Sequence, residues 1–279
     1  MRKERIREND FKQEERPETR TKQFFDVFCH RFVELFKLSL LQAVFNMPLV
    51  VSLILFYQLV SSSTDMSSLM TVFLIQGGSF LVSMPSIFVG LTGVFYCFKK
   101  IIHSEGEYAS SSFFIGMREE WKRGLLIGLM VGLSMSIAVI GYFFSQYYLS
   151  NINTTIAGFG IAIVIIQAIM VLMVGYYSIG QIVFYENKLR FVLKNSFIMT
   201  LMRFPQNLLC MIIHPGILIA LFIIMDITMY VGIALLIFLV GIGHLIWNLN
   251  IISAFDKFIN KEHHKEIYLK GLSTYKEEE

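Results

Sequence analysis

Six stretches of this chain carry no Asp, Glu, Lys or Arg: residues 38–60, 69–98, 124–148, 156–184, 208–225 and 227–247. A hydrocarbon layer about 30 Å thick needs roughly 20 apolar residues from each helix that crosses it, and each stretch meets or approaches that length. A soluble fold would interleave its charges with its apolar positions; only 16% of these residues are charged, and they are segregated between the apolar runs. The runs lack the period-two alternation of a membrane β-barrel. The expected fold is therefore all-α, a polytopic membrane bundle of six transmembrane helices. The fifth and sixth runs are separated only by Asp226, where the chain must turn.

The cations set the orientation. Residues 1–37 hold ten Lys or Arg, 99–123 five, 185–207 four and 248–279 five, whereas 61–68, 149–155 and 225–226 hold none. Basic residues beside a span are retained on the cytoplasmic side, so six crossings place both termini in the cytoplasm of a plasma-membrane protein. The first 37 residues contain no apolar core of a secretory signal, and the first span is expected to be an uncleaved anchor. The lipid bilayer is one partner, since a basic face attracts anionic headgroups. Nearby acids balance the cations too evenly for a nucleic-acid surface. Cys29, Cys97 and Cys210 share no close spacing and imply no disulfide framework.

Three domains follow: a charged flexible arm over 1–23, a membrane domain over 24–258 and a cytoplasmic tail over 259–279. Within the second, Phe24, Phe25, Phe28, Phe32, Leu35 and Phe36 recur at helical spacing, predicting one amphipathic lead-in from Phe24 to Lys37. A second amphipathic segment is expected in the loop, Ser110 to Arg123, with Phe113, Phe114, Met117 and Trp121 on its apolar side. Pro85 predicts a kink in the second span. Gly124, Gly128, Gly132 and Ser136 fall at four-residue steps, a small-residue stripe for close helix packing; the pattern favours a seam inside the bundle over a homodimer face.

Chemistry is sparse. The candidate polar residues inside the spans are Asn46, Gln76, Gln167 and His214, which either tie helices together or line a solute path. His214 and His244 lie 12 and 18 residues from Asp226, a depth difference of about 9 Å that argues against a shared metal. Adjacent His263 and His264 lack the spaced partners of a zinc site. Glu119, Glu120 and Arg123 resemble the Glu-Glu-x-x-x-Arg motif of prenyl-protein-processing proteases, but one residue too short and outside the span. No catalytic group, metal or cofactor is assigned, and the chain is read as a non-enzyme.

The aromatic lead-in from Phe24, Asn46 in the first helix, the Pro85 stretch ending Tyr96-Cys97-Phe98-Lys99-Lys100, the loop from Phe113-Phe114 to Trp121-Lys122-Arg123-Gly124, and Leu193-Lys194-Asn195 together resemble the YesL-like family of bacterial integral membrane proteins over residues 24–258. The resemblance implies a bacterial plasma-membrane protein of no established activity that is linked to carbohydrate uptake. On this reading the chain is an accessory or assembly partner of a transport-system membrane protein, with the amphipathic segments Phe24 to Lys37 and Ser110 to Arg123 as its contact surfaces. The resemblance assigns no catalytic residues. The chain departs from the family pattern in its arm 1–23, around 61–80 and after 260. The alternative is a small secondary transporter with matched interruptions at Pro85 and Pro215 and a polar site at mid-membrane. Neither reading fixes the oligomeric state.

Overall fold

The computed structural model describes residues 16–103, 109–213 and 229–275, with backbone alone at 109 and over 229–239. His214, Pro215 and the turn at Asp226 lie outside the described residues. All regular elements among the described residues are helical: α1 Arg20–His30, α2 Phe32–Ser62, α3 Met66–Ile102, α4 Ala109–Phe143, α5 Thr154–Phe184, α6 Leu189–Met202, α7 Phe204–Ile213 and α8 Met229–Phe255. A π-turn over Phe144–Leu149 carries α4 onward to Ile152, and a second over Asp256–Asn260 follows α8.

Four of these helices are long and apolar enough to cross a membrane: α2, α3, α4 with its extension, and α5. The pair α6 and α7, bent by 90° at a break, makes a fifth if taken as one span. The long faces of α2 (Val44, Met47, Val51, Leu55) and α5 (Phe159, Ile163, Ile166) are exposed. In the most apolar window of α5 only 11% of residues are buried, against 67% for α3. Water would not tolerate such a surface on a folded monomer, whereas lipid solvates it. The protein is thus an all-α, membrane-embedded bundle, and α3 is its central rod. Phe88, Leu91 and Phe95 of α3 pack in one cluster with Tyr177, Trp247 and Ile251. Val94, Cys97 and Phe98 of the same helix pack in another with Val27, Leu35, Phe113 and Leu245.

The helix ends away from the cations are held by short polar side chains. Hydroxyls of Ser61 and Ser63 donate to the carbonyls of Tyr57 and Leu59, and the Asp65 carboxylate accepts from Ser67 and Ser68 to cap α3. Those hydrogen bonds hold the Asp65 carboxyl well below the usual range, at about 2. Asn153 caps α5 through Thr155 and Ile156.

Several boundaries differ from the sequence reading. The lead-in is two helices, because Arg31 (φ −118°, ψ 22°) leaves the helical region. The first of them starts at Arg20, inside the expected arm, where the Thr19 hydroxyl accepts from the Lys22 amide at 3.2 Å. The segment 110–123 is no separate loop helix; it is the start of α4 and runs unbroken into the third span. Residues 185–207, expected as a loop, contain α6. Pro85 lies within α3, which stays helical through it.

Candidate functional site at the basic end of the bundle

The described polar residues chosen from sequence make contacts between neighbouring helices. Asn46 accepts from Gln42 Nε2 at 3.0 Å, and that amide also reaches the Ile87 carbonyl at 3.3 Å, linking α2 to α3. Gln167 donates to the carbonyl and hydroxyl of Ser134 at 3.3 and 3.2 Å, linking α5 to α4. Gln76 is buried in α3, its Nε2 without a hydrogen-bond acceptor among the described residues. His214 lies outside them. Gln76 precedes Gly77, whose carbonyl accepts from Ser136, two residues from the Ser134 that holds Gln167; Asn46 makes its contact separately, on α2.

The small-residue stripe faces α3 closely. A Cβ on Gly128 would stand 2.5 Å from Pro85 Cα, one on Gly132 2.6 Å from the Phe80 carbonyl, and one on Gly124 2.7 Å from Thr92. Ser136 completes the row by donating to the Gly77 carbonyl. Glycine is needed here because two helix backbones occupy the volume that side chains would fill.

The densest polar chemistry lies where α1, the C-terminal ends of α3, α5 and α8, and the tail meet. The Arg20 guanidinium and Asp256 form a buried ion pair at 2.7 Å, with side chains 12% and 7% exposed. Arg20 also donates to the Lys270 carbonyl at 3.1 Å, and Asp256 accepts from Asn260 at 2.9 Å. Gln23 donates to the carbonyl of Ile102 at 2.7 Å, while Ser273 N–H donates to Pro17 at 3.1 Å. The tail is therefore folded against α1 as far as it is described. Gly271 enables this with φ +83°; a Cβ there would collide with the Ile102 carbonyl. Beside this clasp, Asn207 accepts from Tyr177 at 2.9 Å and Asn250 at 2.8 Å, and Arg203 donates to the Asn250 carbonyl at 2.9 Å. None of these partners was chosen from sequence. The available signal was the spacing of Asp256 and Asn260, one helical turn apart immediately after a charge-free run.

Next to the clasp lies a cleft of about 490 Å³ between α6 and the second π-turn. Asn187, Asn195, His263 and His264 give it polar walls. Ile198, Met199, Met202, Phe258 and Ile259 make the rest apolar. His264 Nδ1 stands 3.2 Å from Glu266, and its ring centroid is 5.0 Å from that of Tyr185. The Tyr185 phenol donates to Asn260, and burial together with the Asp256 carboxylate raises its pKa, keeping it a neutral donor. Hydrogen-bond donors on one side and apolar walls on the other suit an amphiphile. Among the described residues, no three His, Cys, Asp or Glu come together as metal ligands.

His103 lies beneath the docked tail, 5% exposed, with its ring edge-on to Phe184. Burial, then the charges of Lys270, Arg20 and Lys99, push its pKa down to about 3. Its neutral form is the one compatible with docking. The unfolded or undocked imidazole titrates near 6.5, so the stabilisation is complete above that pH and falls at up to about 1.4 kcal/mol per pH unit as pH drops toward 3. Tail proteolysis should consequently accelerate between pH 7 and pH 5, and His103→Gln should flatten that dependence. An identical pH profile for the two proteins would assign the effect to other groups.

No protein-family model, curated protein or solved structure matches the chain.

Proposed function

We propose that the chain is a six-crossing, non-catalytic protein of the plasma membrane, both termini cytoplasmic, that serves as an accessory component of carbohydrate uptake through a partner transport protein. The uptake role comes from the YesL-like resemblance. The observation that carries a docking role is the aromatic face at the start of α4, where Phe114 and Trp121 are 52% and 45% exposed beside Glu119, Lys122 and Arg123. Exposed aromatics within a charged rim are the usual make-up of a binding patch. Phe113 is removed from the proposed surface: it is fully buried, with its ring 5.8 Å from that of Phe45 and its backbone against Gly93.

Affinity capture from native membranes tests the surface. F114D and W121D together should release the co-purifying transport component while leaving the melting temperature of the bundle unchanged. Undiminished capture by a folded double variant would remove α4 as the docking surface.

A further inference from the structure

We propose that the cleft between α6 and the second π-turn is a specific site for one anionic glycerophospholipid, its phosphoryl headgroup held between Asn195 and His263 with Lys257 at the rim, and its acyl chain laid along Ile198 and Met202. Three features select this ligand. First, the lining is divided: amide and imidazole N–H groups donate to phosphate oxygens, and the remaining walls offer nothing to a fully hydrated anion.

Second, the cleft's apolar wall continues onto the outside of the bundle. Ile198 and Met202 line it and are also 42% and 56% exposed, and Phe197 and Leu201 beside them on α6 are exposed as well. A chain lying on that wall remains in contact with surrounding lipid, which a soluble phosphate does not require. The 90° bend between α6 and α7 sets α6 across the direction of its successor, the attitude of an amphipathic helix lying in the membrane interface.

Third, the charge is complementary. Segments 186–195 and 256–266, which form the two sides, carry six Lys or Arg and, apart from Asp256 bound by Arg20, three carboxylates. Lys257 does not line the cleft; its Nζ stands 5.3 Å from the ring centroid of the cleft residue Phe258 and adds to the positive charge around the rim. Anionic lipid surfaces attract each such cation by about 1 kcal/mol.

Native mass spectrometry of the full chain in detergent tests the site, with phosphatidylglycerol, phosphatidylcholine of the same acyl chains, and glycerol 3-phosphate as probes. One phosphatidylglycerol should be retained about tenfold more tightly than phosphatidylcholine, and glycerol 3-phosphate should not displace it. K257E with H263E, both at exposed positions, should lower that retention about tenfold or more. Their melting temperature should match the parent's, and if it does not, K257Q alone replaces the pair and should weaken retention several-fold. Equal retention of the two lipids, displacement by glycerol 3-phosphate, or parent-like phosphatidylglycerol binding by a folded variant would each overturn the assignment.

Discussion

Gly128→Leu should be the most damaging single substitution in the membrane domain. A Cβ at this position meets Pro85 Cα at 2.5 Å, the Met84 carbonyl at 2.8 Å and Pro85 N at 2.9 Å, all backbone atoms that no rotamer change can move. Relief requires parting α3 from α4, and with it the Ser136 to Gly77 hydrogen bond further along the seam. Overpacking alone costs about 1 to 3 kcal/mol, and separation of the central helix adds to this, so about 3 kcal/mol or more is expected. Gly78 is the matched control. It lies in α3, exposed, with no atom within 4 Å of where a Cβ would stand, and Gly78→Leu should leave stability within about 1 kcal/mol. Thermal unfolding of the three proteins in one detergent separates the cases. Equal melting temperatures for G128L and G78L would mean that the seam does not hold the bundle.

Asp256→Ala should be nearly as severe, by a different route. It leaves Arg20 buried without its carboxylate and deprives Asn260 Nδ2 and the Leu269 amide of their acceptor. Removing one partner of a buried pair typically costs about 3 to 5 kcal/mol, because an uncompensated charge remains. The loss should fall on the clasp of α1 and tail, so hydrogen exchange at Leu269 and Ser273, whose amides donate to Asp256 and Pro17, should accelerate while α3 remains protected. Arg20→Met with Asp256→Leu should recover much of the docking, since the unpaired charge is gone, but not all of it, because Asn260 and Leu269 still lack their acceptor. Unchanged exchange in D256A would show the pair to be incidental.

Helical class and the cores of the first four apolar runs were legible because lipid solvent leaves few alternatives: a long uncharged run must satisfy its own backbone. The close approach along Gly124, Gly128 and Gly132 was legible for a related reason, since four-residue spacing defines one face of a helix whatever lies opposite. Three other features were not. Helix α6 was hidden by Lys188, Arg190 and Lys194, which read as a loop although Val192, Ser196 and Met199 form its buried side. Phe113 and Phe114 are adjacent, and local pattern puts both on one apolar side; the packing of α4 on α3 turns the first inward and leaves the second out. The clasp depends on Arg20 meeting Asp256 across 236 residues, a pairing that no local periodicity encodes.

The arrangement of charge around the membrane underlies both the docking surface and the lipid cleft. Thr64 and Thr154, exposed at the ends of the bundle far from the cations, and the exposed native Cys29 of α1 report on it directly. With buried Cys97 and Cys210 replaced by alanine, an impermeant maleimide applied to intact cells should label Thr64→Cys and Thr154→Cys, each placed in a Cys29→Ser background, whereas Cys29 in the parent should react only after permeabilisation. Labelling of Cys29 in intact cells, with both engineered positions silent, would contradict the account.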